Sequence, residues 1–160
     1  SPYAFTKSKN LKLLIHLKEW FDFKFEVLYF YNVYGPKQIE NGPMSTVIGI
    51  FEKQYKNNKV LTVSRPGTQS RKFTHIEDTV RGCFYAWKKG LNRHYLVLNK
   101  KSYTILDVAR MFGGKIKFVK PRLGERKKSS SVNKIGKIKM YSIPCELSLK
   151  QYIQNIRFKR

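Results

Sequence analysis

Acidic residues are scarce: 10 Asp and Glu stand against 33 Lys and Arg in 160 residues, a formal net charge of +23. Such an excess raises the question of a polyanionic partner. However, 24 of the basic residues are Lys and only 9 are Arg, and they are spread along the chain rather than gathered in a recognition motif, which argues against nucleic acid. Cysteine is nearly absent. Cys83 and Cys145 show neither CxxC spacing nor a disulfide framework, so a reducing compartment, the cytoplasm, is expected. Only three histidines occur, His16, His75 and His94, without metal-ligand spacing, so no zinc or di-iron site is expected. No apolar run approaches the roughly 20 residues that span a bilayer, no signal-peptide pattern opens the chain, and no membrane partner is expected.

Apolar surface is plentiful. Hydrophobic residues make up 41% and aromatics 14%, with 11 Phe, 10 Tyr and 2 Trp, which excludes a disordered tail. The length is enough for one ordinary domain with its own core, or for part of a larger one.

Leu11, Leu13, Leu14, Ile15, Leu17 and Trp20 recur at mixed three-and-four spacing, which predicts a largely buried helix from about Phe5 to Trp20. Phe25 to Tyr31 is an apolar and aromatic run suited to a buried strand, broken by Gly35-Pro36. A helix over Thr46 to Tyr55, a strand over Val60 to Val63 and a turn at Arg65-Pro66-Gly67 follow. Thr74-His75-Ile76-Glu77 matches a capping box opening a helix that Gly90 ends. Tyr95 to Leu98 and Ile116 to Val119 read as strands, with a helix between them from Thr104-Ile105-Leu106-Asp107 to Gly113-Gly114. A basic, serine-rich loop from Arg122 to Ser131 precedes a last helix carrying Leu149, Tyr152, Ile153 and Ile156. Alternating strands and helices predict an α/β fold. The first helix has no strand before it, and the chain opens at Ser1 without methionine; both predict a part of a larger protein.

Tyr3 and Lys7 stand four apart at the opening of the first helix, one turn apart on one face. An ammonium beside a phenol stabilises phenolate and brings it toward neutral-pH proton transfer. In a chain with 10 Tyr and 24 Lys, however, this spacing also arises by chance on a solvated helical turn.

Three strings carry more information together. Ser1-Pro2-Tyr3-Ala4-Phe5-Thr6-Lys7, Tyr29-Phe30-Tyr31-Asn32-Val33-Tyr34-Gly35-Pro36 and Ser70-Arg71-Lys72-Phe73-Thr74-His75-Ile76-Glu77-Asp78 stand in one order at consistent distances. The ordered set resembles the extended short-chain dehydrogenase/reductase family, in its NAD-dependent epimerase/dehydratase branch of the UDP-glucose 4-epimerase kind. The resemblance covers nearly the whole chain and matches the C-terminal half of that fold. It implies the end of a Rossmann-like parallel sheet over residues 1–36. Residues 37–160 would then be mainly a small mixed α/β substrate-binding lobe, with segments around 70–100 returning to the sheet.

The resemblance also implies roles. Tyr3 would be the catalytic base that takes the sugar 4-hydroxyl proton while hydride passes to NAD. Lys7 would hold the nicotinamide ribose and favour tyrosinate, and Tyr31 would touch the nicotinamide end of the cofactor. Asn32 would bond the diphosphate or sugar, Arg71 and Arg122 would hold the nucleoside diphosphate, and Val47 would lie beside the uracil. Ser129 falls where the family gates the sugar N-acetyl group. A small residue there predicts acceptance of UDP-N-acetylhexosamines as well as UDP-hexoses. A homodimer through helices is implied as well.

Each role has a plainer alternative: Asn32 as a turn cap, Arg71 as a solvated edge charge, His75 as a packed ring, and Glu77 and Asp78 as helix-terminal carboxylates. The family pattern has Arg where Tyr29 stands, Asp at Lys72, an acid at Leu11, and Asp at Glu125. A Gly-x-x-Gly-x-x-Gly turn, whose backbone N–H groups approach the cofactor pyrophosphate, occurs nowhere in the chain, nor does the Ser/Thr that precedes the tyrosine. The expectation is a nucleotide-sugar 4-epimerase by descent, truncated and inactive alone. A 4,6-dehydratase or UDP-glucuronate decarboxylase is the enzymatic alternative, and a basic polyanion-binding module the non-enzymatic one.

Overall fold

The computed structural model describes residues 2–42, 44–121 and 138–158. It opens with α1 (Pro2–Phe21), then β1 (Val27–Phe30) and the two-residue β2 (Val33–Tyr34). Next come α2 (Val47–Lys56), β3 (Leu61–Ser64), β4 (Ser70–Lys72), β5 (Thr74–His75) and α3 (Ile76–Lys89). The chain continues through β6 (His94–Leu98), β7 (Ser102–Thr104), α4 (Ile105–Phe112), β8 (Ile116–Val119), β9 (Met140–Pro144) and α5 (Leu149–Phe158).

Two units organise these elements. β1, β6 and β9 form a three-stranded parallel sheet in the order β1-β6-β9, with Val27 opposite His94 and Tyr95 opposite Tyr141. α3 packs on this sheet through Gly82 and Ala86. A Cβ at Gly82 would lie 2.8 Å from Val97 Cγ2, so only glycine allows helix and strand to approach this closely. In the second unit β3 pairs in parallel with β8, and β4 pairs antiparallel with β7. Here Leu61 and Val63 of β3 meet Ile48 and Phe51 of α2, Val108 and Phe112 of α4, and Leu149 and Ile153 of α5 in one buried core. Phe112 stands edge-on to Phe51 at 6.1 Å.

Local signals explain most boundaries. Thr46 caps α2 by accepting from Gly49 N–H. Gly90 and Gly113 end α3 and α4 at φ 55° and 76°, in the left-handed region that glycine enters without a Cβ clash. Thr104 caps α4: its Oγ1 accepts from Asp107 N–H at 3.0 Å and donates to the Asp107 carboxylate at 2.6 Å. Thr104→Ala removes both bonds and is expected to cost about 1 kcal/mol of stability, read as a lower denaturant midpoint at unchanged m-value.

Two expectations are corrected. No residue of α1 is buried: Tyr3, Phe5, Leu13 and Trp20 are exposed and Leu11, Leu14, Ile15 and Leu17 are only half-buried, because the apolar side chains are distributed around the helix. The capping residue of α3 is His75, not Thr74; its Nδ1 accepts from Glu77 N–H at 3.2 Å, while Thr74 lies buried in β5 with its hydroxyl toward Val97 O. β9 joins the three-stranded sheet beside β6. Its Pro144 is tolerated because the strand sits at the sheet edge.

Candidate functional site

A cleft of about 600 Å³ opens where the two units meet in sequence, between the residues after β1, the start of α2, and the ends of β3, β4 and β8. Asn32, Val47 and Arg71 line it together, joined by Thr62, Ser64 and Lys120. Arg71 and Lys120 are the cations among its described lining residues, and no carboxylate is among them. A water-accessible hollow whose described lining offers hydroxyl and amide groups and two cations suits a polar anion.

Its walls are positioned by hydrogen bonds made outside it. Asn32 Nδ2 donates to Lys72 O at 2.7 Å and Asn32 O accepts from Thr74 N–H at 3.3 Å, so this residue ties the segment after β1 to β4 and β5 instead of capping the turn into Gly35-Pro36. Arg71 is half-buried on β4, opposite Tyr103 of β7, and its Nη1 donates to Ser70 O at 2.8 Å. The mouth beside Val47 rests on a half-buried network around Glu52. Thr46 Oγ1 donates to Gln38 Oε1 at 2.8 Å, and Gln38 Nε2 donates to Glu52 Oε2 at 3.0 Å. Tyr152 OH also donates to Glu52 Oε2 at 3.0 Å, and Lys56 Nζ lies 2.6 Å from Glu52 Oε1. Burial, then the Glu52 charge, pushes the Tyr152 phenol above its ordinary range and keeps it a donor.

A second anchor lies under the α3 N-terminus. Asp78 is 1% exposed and accepts from Glu146 N–H and Leu147 N–H, both at 3.1 Å, and from Arg81, which also reaches Glu146. It thus holds the segment entering α5 against α3, a role beyond the helix-terminal one expected of it. Burial, then the Asp78 charge, pushes the Cys145 thiol up to about 11, so it stays protonated and inert at neutral pH. The same two causes raise the Tyr34 phenol. His75 is buried with its ring 5.2 Å from that of Tyr34 and 5.6 Å from that of Tyr152, as a packed ring would be.

The other expected residues are dispersed. Tyr3 and Lys7 share one face of α1, with Lys7 Nζ 5.7 Å from the centre of the Tyr3 ring, but both are exposed and neither lines the cleft. Tyr31 is half-buried at the carboxyl end of β1 with Lys72 Nζ 5.8 Å from its ring centre, and it too is not a lining residue. Arg122 and Ser129 lie outside the described residues. Gln38, Glu52, Thr62, Ser64 and Lys120 had no sequence signal, since each is an ordinary polar residue at a position with no motif.

Parallel strands alternating with helices, as in β1-β6-β9, place the chain in the Rossmann-like α/β class. The model of the NAD dependent epimerase/dehydratase family matches residues 1–98, and the chain belongs to that family. An uncharacterized UDP-glucose epimerase of Bacillus subtilis (strain 168) is 39% identical over 82 residues, 51% of this chain and 25% of that protein. A UDP-N-acetylglucosamine 4-epimerase from Methanobrevibacter ruminantium M1, solved with UDP-N-acetylmuramic acid, superposes with a TM-score of 0.77 at 27% identity, over 81% of this chain and 44% of that one. A UDP-glucuronic acid 4-epimerase from Bacillus cereus, solved with UDP-glucuronic acid and NAD, shares the fold at a TM-score of 0.77 and 23% identity, over 100% of this chain and 54% of that one. The chain thus spans about half the length of these solved relatives. No described helix is long and apolar enough to cross a membrane.

Proposed function

We propose that this chain provides the sugar-nucleotide side of a UDP-sugar 4-epimerase, with the cleft as its nucleotide site. The observation that carries the reading is the convergence of Asn32, Val47 and Arg71 on one cleft. In this reading the Arg71 guanidinium meets the diphosphate, Asn32 orients the diphosphate or sugar, and Val47 packs against the uracil. Tyr3 takes the 4-hydroxyl proton of the sugar and Lys7 favours its phenolate form. Arg122 and Ser129, the latter gating N-acetyl substituents, complete the assignment. The three-stranded sheet would belong to the cofactor domain and the core around Phe112 to the substrate lobe.

The residues fit NAD in part. Tyr31 stands at the carboxyl end of a parallel strand, where such folds bind dinucleotides, and Tyr3 and Lys7 share one helix face. The Gly-rich turn for the pyrophosphate is absent from these 160 residues. When bound, NAD supplies the hydride acceptor at the sugar C4. The exposed Phe5, Leu13, Trp20 and Phe21 of α1 support a helix-mediated homodimer. The dehydratase and decarboxylase alternatives share Tyr3 and Lys7.

Calorimetric titration tests the reading. UDP and UDP-glucose are expected to bind the 160-residue chain with a measurable Kd, whereas NAD binds weakly or not at all. Binding that ignores the uracil and collapses steeply with salt would instead favour the polyanion module.

A further inference from the structure

We infer that Gln38, Glu52 and Tyr152 are positioning residues for the cleft mouth, and that their hydrogen-bond network sets the preference for uracil over other bases. This rests on the reading of the cleft as a UDP-sugar site with Val47 beside the uracil. Ser45, Thr46 and Val47, which lead into α2 and open it, line the cleft, whereas Gln38, Glu52 and Tyr152 stand behind that wall. The three polar side chains act on the cleft through the end of α2.

The connection is continuous from the mouth to the core. Thr46 N–H donates to Ile39 O at 3.1 Å, and Thr46 Oγ1 accepts from Gly49 N–H at 3.0 Å and donates to Gln38 Oε1 at 2.8 Å. The first turn of α2 is thereby tied to residues 38–39. Gln38 Nε2 donates to Glu52 Oε2 at 3.0 Å and lies 3.4 Å from the Tyr152 oxygen, while the Tyr152 hydroxyl donates to the same Glu52 oxygen at 3.0 Å. One oxygen of the buried Glu52 therefore fastens α2, residues 38–39 and α5 together. Tyr152 is held in turn by its ring, 5.2 Å from that of Tyr34 in β2 and 5.6 Å from that of His75 in β5. Hydrogen bonds sheltered from water hold such a wall firmly, and an apolar wall selects one base by shape only where it is held to about 0.5 Å.

The test is calorimetric titration of UDP and ADP into the full chain and into Tyr152→Phe, Gln38→Met and Glu52→Gln, with a thermal melt of each. Tyr152→Phe keeps the ring contacts and loses the hydroxyl, and is expected to weaken UDP about tenfold and ADP about twofold or less. Gln38→Met, which removes the amide between Thr46 and Glu52, should lower the preference for UDP in the same way. Glu52→Gln keeps an accepting oxygen for Gln38 and Tyr152 and should retain most of that preference. A purely structural loss would instead lower the melting midpoint and weaken both nucleotides in proportion. If the unmodified chain binds UDP and its UDP-to-ADP ratio is unchanged in Tyr152→Phe and Gln38→Met, or shows no preference to begin with, the positioning role is overturned and the cleft assignment stands. If the unmodified chain does not bind UDP, both fall.

Discussion

Arg71→Ala is expected to weaken UDP binding about a hundredfold, or about 2.7 kcal/mol, while leaving the fold intact. The guanidinium is half-buried on the cleft wall, where water screens a phosphate contact less than at an open surface. Removing it leaves the diphosphate facing Lys120 as the remaining described cation. Arg71→Lys should recover only part of the loss, since an ammonium cannot repeat the planar fork that meets two phosphate oxygens. Titration calorimetry reads the affinity, and a thermal melt shows whether the β4-β7 pairing survives. An Arg71→Ala chain that binds UDP as tightly as the parent would remove the cleft from consideration as the nucleotide site.

The largest stability effect is expected at Asp78. Asp78→Ala should cost about 2–3 kcal/mol, a large share of the roughly 5–15 kcal/mol that holds a domain together. The carboxylate is 1% exposed and binds two backbone N–H groups at 3.1 Å together with Arg81. Alanine deprives those donors of their shared acceptor, and releases the segment that delivers Leu149 and Ile153 of α5 to the core. Asp78→Asn keeps the shape and one accepting oxygen, so it should lose clearly less. Urea unfolding of the three proteins checks the order, and equal midpoints would show that the 146–147 segment is held by other contacts.

Features that depend on neighbours in sequence were legible before folding. The helix ended by Gly113 and capped by Thr104, the strand at Ile116–Val119, and the Leu149–Ile156 face all follow from side-chain period and cap chemistry, and the structure has each of them. The Tyr3-to-Lys7 spacing, the Asn32 string and the Arg71 string pointed to the family that the match over residues 1–98 shows. The burial of α1 was misjudged because apolar spacing defines a helix without supplying a partner surface. β2, β4, β5 and β7 escaped notice because two or three residues are too few to show a period.

The family, the α/β class and most helix boundaries thus resided in local pattern and motif order. Tertiary structure alone decided that Asn32, Val47, Arg71 and Lys120 share a cleft, that Asp78 clamps a segment 68 residues away, and that Glu52 is sheltered between Gln38, Lys56 and Tyr152. Such contacts join residues far apart in the chain, and each depends on where strands pair and helices pack. No window of sequence contains that information, because the hydrogen bonds and charges involved acquire their strength only when folding brings them together away from water.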